Sequence, residues 1–432
     1  MPDITIRTQV EDTVTERTVV VTGFGVVTPL GQDADAVFDR LMAGDSGVQP
    51  TTRFNAAASP IPASGEIADF DPVPHEISPR DVRTLDRYQQ YAIAAAQNAV
   101  KDAGLDLPFR EITSRKKNGR MNDRFGAAVG VAFSSTEVLA RQLEVLKVKG
   151  SRGISPRLFN QTLPNAATSV LSVRFGLRGP LVTVSGASAS GADSLIGAYD
   201  RIRSGRADVM LAGGAESAIT EIIVAGFAAN HTGSAQGACR PFDVDRDGTV
   251  LGEGATILVL EEAGHARRRG AHIYGEMLGY GQRGDAFDMS DIPPDDAPGL
   301  TLALAEALAD AGLQPEDIGY VNVHGTGTKS NDPAECVALR KVFDQHTDRL
   351  RVSGVKGATG HMLGASGAFE TLVALMASCR DQVPPTHGLL TPAPECAMNH
   401  VIGKGLQAPV GAALSISVGM GGNNCVIAVR SA

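Results

Sequence analysis

Cysteine is scarce in this chain. Only Cys239, Cys336, Cys379, Cys396 and Cys425 occur in 432 residues, and no two share a C-x-x-C spacing. An odd, scattered set argues against a disulfide framework or a zinc finger, and for reduced thiols in the cytoplasm. Long apolar runs are also missing. None approaches the ~18 residues a membrane-spanning helix needs, and residues 1–17 are polar and charged, without the apolar stretch of a signal peptide. Charge is not strongly one-sided either: the net charge is −9 at pH 7. That gives no electrostatic case for a nucleic-acid or membrane-surface protein.

Glycine, by contrast, is abundant at 49 residues, often doubled or beside other small residues, as in tight strand-to-helix turns. β-branched runs at 18–27, 125–133, 181–185, 209–215, 256–262, 319–325, 351–355, 413–419 and 424–429 read as strands. Amphipathic stretches at 33–44, 86–104, 189–205, 298–312, 331–344 and 366–380 read as helices. Such alternation implies an α/β protein with parallel strands between helices. Residues 181–205 and 319–344 both run strand, small-residue turn, helix. If the chain is built from two similar halves, these turns share the face where α/β sheets collect active sites. Residues 53–81 and 109–125 read as surface insertions.

Ser188, in VTVSGASASGADSLIG, sits where an apolar run turns into a helix. Backbone N–H groups and the helix dipole there favour negative charge, a setting that activates a nucleophile, most of all a thiolate. His324 ends a strand in VHGTGT. Lys356 and His361 lie five residues apart in VSGVKGATGHMLGASG. A G-M-G-G turn around Met420 exposes backbone N–H groups between two strands, and RPFDVDRDGTVLGEGATILVLEE precedes them at 240–262. The other histidines, at 75, 231, 265, 272, 346, 387 and 400, read as surface groups.

In this order and spacing the motifs resemble the β-ketoacyl-ACP synthases, more narrowly the elongating ketosynthases of bacterial fatty-acid and type II polyketide assembly. The resemblance runs from VVVTGFGVVTPLG at 19–31 to the C-terminus. It implies a thiolase-type fold, in which two similar α/β halves form a five-layered αβαβα core: residues 18–262 carry the nucleophile position and 263–432 both histidines. It implies a decarboxylative Claisen condensation of an acyl thioester with malonyl-ACP. Residue 188 would accept the acyl group, and His324 and His361 would donate hydrogen bonds to the enolate oxygen. The N–H groups of residues 188 and 420 would hold the acyl-transfer oxyanion. Lys356 would organise the site with Glu335 as its ionic partner, since a buried lysine needs one. Thr326 and Thr328 would bind the pantetheine arm. No metal and no cofactor of its own is implied, because the acyl carrier protein delivers the phosphopantetheine. The partners implied are that carrier protein and a second chain, in a homodimer or in a heterodimer with a ketosynthase homologue.

Three positions depart from the family pattern. Ser188 stands where Cys is expected, Met420 where the G-F-G-G phenylalanine is usual, and Asp288 where relatives often carry His. A helix dipole worth ~1–2 kcal/mol does not close the acidity gap between hydroxyl and thiol. Three readings follow: an engineered or impaired ketosynthase, a natural Ser-dependent acyltransferase, or a non-catalytic partner like the chain-length factors. Two basic clusters, Arg115 to Arg124 and Lys147, Lys149, Arg152 and Arg157, suit docking of an acidic carrier protein.

Overall fold

A computed structural model describes residues 17–112, 122–293 and 295–432. The strands are β1 (Val19–Val27), β2 (Phe125–Gly130), β3 (Leu181–Val184), β4 (Val209–Glu216), β5 (Gly254–Glu262), β6 (Gly275–Gly284), β7 (Ile318–Asn322), β8 (Arg351–Ser353), β9 (Ala412–Gly419) and β10 (Asn423–Ser431). They form one sheet in the order β3-β2-β4-β5-β1-β6-β10-β9-β7-β8. Each set of five has the same internal order. β2 runs parallel to β3 and β4, then β5 and β1 alternate. β7 likewise runs parallel to β8 and β9, then β10 and β6 alternate. The two sets meet where Val19–Val21 pair antiparallel with Gly275–Met277.

The helices that build the layers are α1 (Arg87–Asp102), α2 (Ala166–Phe175), α3 (Ser190–Arg203), α4 (Pro298–Ala311), α5 (Asn331–Phe343) and α6 (Ser366–Arg380). α1 packs on β1, β5 and α2, and α4 packs on β6, β10 and α5. α3 and α6 pack on each other and touch strands of both sets. The layers are therefore helix, sheet, helix, sheet, helix, which is the thiolase-type α/β arrangement. α6 is buried from Ser366 to Ser378, which explains why its sequence reads SGAFETLVALMAS, apolar or small on every side apart from Glu370.

Three expectations change. By strand order, the counterpart of β3 and α3 is β8 and α6, not β7 and α5, so the echo between 181–205 and 319–344 is not the repeat. Ala189–Ser190–Gly191–Ala192 answers Ala365–Ser366–Gly367–Ala368 instead, each entering its helix from a one-turn 3-10 segment. Segment 53–81 is no loose insertion: it buries Ile61, Ile67, His75 and Ile77 and ties Arg53 to the buried Glu253. The strand β6 was not visible in the sequence. It spells GEMLGYGQRG, whose glycines break the β-branched run that marks the other strands.

Candidate active site

The C-terminal ends of the parallel strands β3 and β7 lead into the turns that carry Ser188 and His324. β3 runs into a turn where Ala187 has φ +52°, a left-handed conformation that costs a non-glycine residue about 1 kcal/mol. Ser190 Oγ fixes this elbow, accepting from Gly186 N at 2.9 Å and donating to Ala187 O at 2.5 Å. Ser188 projects from the elbow, half-buried. Its Oγ lies 2.8 Å from His361 Nε2, and His361 Nδ1 lies 3.1 Å from Ser366 Oγ.

His324 follows β7. Its ring stands edge-on to that of His361, with centroids 5.5 Å apart at 84°. Lys356 Nζ, fully buried, contacts His324 Nδ1 at 3.2 Å and donates to His324 O at 2.5 Å. An ammonium only donates, so Nδ1 accepts and the proton of the neutral ring sits on Nε2. Burial first, then the Lys356 charge, holds both histidines well below the ordinary value of 6.5; His361 adds a further push on His324. Both rings are therefore neutral at pH 7.

The expected pairing of Lys356 with Glu335 is not what the fold makes. Lys356 Nζ pairs with Glu370 Oε1 at 2.5 Å, both side chains being buried. Glu335 instead accepts the backbone N–H of His324 at 2.6 Å and of Gly325 at 2.7 Å. One helical turn earlier, Asp332 accepts from Thr326 N at 3.1 Å and Gly327 N at 3.2 Å. Asn331 Nδ2 donates to both carboxylates, at 3.2 and 2.8 Å. Four successive N–H groups of the HGTG turn are thus held by two acids at the start of α5. Burial, then Asp332, pushes the Glu335 carboxyl up to about 8. Burial likewise raises Glu370, to about 7, with Lys356 opposing.

A cleft opens onto this group. Ser188, His324, His361, Thr326, Thr328 and Met420 line it, with Phe227, Ile292 and Asn331 on other walls. Thr326 Oγ1 and Thr328 Oγ1 are 2.9 Å apart. Ser188, His324, His361, Thr326, Thr328 and Met420 thus reach the cleft wall, while Lys356 and Glu335 stand behind it.

The family is decided by comparison with known proteins. The family model of the β-ketoacyl synthase N-terminal domain matches residues 16–266, and that of the C-terminal domain matches 274–389. The chain belongs to the β-ketoacyl synthase family. It is 37% identical over 420 residues to 3-oxoacyl-acyl-carrier-protein synthase 2 of Synechocystis sp., covering 96% of this chain and 98% of that one. A solved ketosynthase/chain length factor, that of ishigamide, superposes with a TM-score of 0.86 at 32% identity, over 97% of this chain and 100% of the other. A type II polyketide ketosynthase solved with its acyl carrier protein and bound to the hexaketide gives 0.85 at 30% identity, with 97% and 100% covered.

Within this β-ketoacyl synthase the remaining expectations fall out unevenly. Asp288 is not on the cleft wall: its carboxylate accepts from Ser290 N and Asp291 N at 2.8 and 3.1 Å, shaping the loop whose next residues form the mouth. Arg115, Lys116, Lys117 and Arg120 lie outside the described residues. Arg124 is committed to a two-point pair with Asp208, at 2.8 and 2.7 Å. Lys147, Lys149, Arg152 and Arg157 lie at the surface, and Lys147 pairs only with its helix neighbour Glu144. His75 and His387 are buried, not surface groups. Sequence reasoning missed Glu370, Ser366, Asp332 and Asn331. Glu370 had left a signal, as the only acid in an otherwise apolar helix, where a buried charge demands a partner.

Among the described residues, no helix is long and apolar enough to cross a membrane.

Proposed function

We propose that this chain is an elongating β-ketoacyl-ACP synthase whose enolate-forming machinery is complete and whose acyl-accepting position is occupied by Ser188 in place of cysteine. The observation that carries the reading is the pair of neutral imidazoles at the cleft floor, one of them locked by Lys356 with its proton on Nε2. An acyl group on the pantetheine arm of the carrier protein passes to residue 188, with the N–H groups of residues 188 and 420 holding the oxyanion. Malonyl-ACP then enters past Thr326 and Thr328 and loses CO2. The enolate oxygen takes hydrogen bonds from His324 and His361, and its carbon attacks the acyl carbonyl, forming the C–C bond and freeing residue 188. Glu335, Asp332 and Asn331 hold the turn that aims His324; Glu370 holds Lys356.

On this reading residues 18–262 and 263–432 are the two halves, and neither brings a cofactor of its own. The carrier protein docks on the exposed cations Lys147, Lys149, Arg152 and Arg157, and five free thiols support a cytoplasmic setting. A second ketosynthase chain covers the exposed Leu139, Leu143, Phe159 and Leu181. The test is restoration: Ser188→Cys, given acyl-ACP and malonyl-ACP, yields a 3-oxoacyl-ACP two carbons longer. Absence of any elongated product from that variant defeats the assignment.

A further inference from the structure

The geometry points to Ser188 as a working acyl acceptor: it takes the acyl group of a carrier-bound thioester as an oxygen ester, with the His361 imidazole as its base. This rests on the ketosynthase reading for its substrate class and goes beyond it, because a serine needs help that a thiolate does not. A nucleophilic serine requires a base within hydrogen-bond reach and donors for the oxyanion. His361 Nε2 is at 2.8 Å from Ser188 Oγ. The ring is neutral, and Nδ1 is held by Ser366 Oγ at 3.1 Å. A hydroxyl accepts as readily as it donates, so Ser366 suits either tautomer: Nδ1–H for acylation, with Nε2 open to receive a proton, and Nε2–H when the enolate forms. Triads place a carboxylate at this point; a hydroxyl stabilises the imidazolium less, which sets a slower acylation.

The oxyanion donor has an internal precedent. Leu363, with φ +49°, begins the second elbow as Ala187 begins the first, so Gly364 is the counterpart of Ser188. Gly364 N points to Glu216 Oε2 at 3.4 Å, which also takes Ala132 N at 2.7 Å and Phe133 N at 3.3 Å. The repeated elbow thus offers the same N–H to a carboxyl oxygen.

The step balances within the site. Ser188 Oγ attacks the thioester carbonyl as its proton moves to His361 Nε2. The C–S bond breaks, and the imidazolium returns that proton to the departing thiolate. The products are a Ser188 ester and a free pantetheine thiol.

Octanoyl-ACP incubated with the protein should give an octanoyl adduct by intact mass. The adduct maps to Ser188, survives neutral hydroxylamine as an ester does, and is absent from Ser188→Ala. His361→Ala should slow it on the order of a hundredfold or more. Because His361 is already in its base form from below pH 6.5 upward, the acylation rate should be flat across neutral pH. A serine ionising unaided would gain about tenfold per pH unit. Ser188→Cys is the reference, acylated as a hydroxylamine-labile thioester. If Ser188→Cys is acylated and Ser188 is not, or if His361→Ala acylates at the parent rate, the inference is overturned and the ketosynthase reading stands. If neither form accepts the acyl group, both fall together.

Discussion

At the scale of single residues, the site is governed by what burial does to charge. Lys356 is placed against a histidine nitrogen and a carbonyl oxygen, and only Glu370 among its contacts carries negative charge. A lysine this deep cannot be solvated, so removing one partner strands the other. Lys356→Met should destabilise the fold by about 3–5 kcal/mol, the cost of an uncompensated buried charge. Lys356→Met combined with Glu370→Leu should recover much of that stability. Urea denaturation of the two single variants and the double variant measures the coupling; simple additivity would show that the pair is not a pair. Glu335→Gln is different in kind, because both of its oxygens serve backbone N–H groups. This division between the two acids was not legible in the sequence. Glu335 is nearer to the histidine turn along the chain, while Glu370 reaches Lys356 only because α6 crosses the centre of the molecule.

At the scale of elements, the strand-turn-helix units were legible wherever a β-branched run met a small-residue turn, as at 181–205 and 319–344. The elbow at 363–367 was not legible as the counterpart of Ser188, because its equivalent position is a glycine and its turn carries no reactive group. The repeat shows instead in how α3 and α6 cross. A Cβ on Gly191 would lie 2.7 Å from Gly364 O and 2.9 Å from Ala368 N; one on Gly367 would lie 2.7 Å from Ser417 Oγ and 2.8 Å from Ala192 N. Each helix thus passes the other's first turn with no room for a methyl group. Gly191→Ala and Gly367→Ala should each destabilise by about 1–3 kcal/mol through overpacking. They should also impair catalysis, since the crossing sets Ser188 against His361. Thermal unfolding with matched acylation rates checks both effects. Wild-type stability in both variants would mean that the crossing is looser than the distances require.

At the scale of the whole molecule, the chain buries its two half-sheets well but leaves one region apolar and open. β3 is an edge strand with β2 on one side only, and its Leu181 is 49% exposed. The helix Thr136–Lys149 and the short helix Leu158–Thr162 add Leu139, Leu143 and Phe159, the last 67% exposed. An unpaired strand edge beside exposed large apolar side chains invites another chain. A second ketosynthase chain has a matching edge to offer. Phe159→Asp should leave the fold intact, because the side chain makes little use of its own core. In an interface it would lose a buried aromatic and strand a charge, together worth at least about 3 kcal/mol, so the dimer should weaken a hundredfold or more. Light scattering after gel filtration, with circular dichroism as the control, reads this directly. A parent chain that stays monomeric at micromolar concentration, or a variant as dimeric as its parent, would remove this face from the assembly.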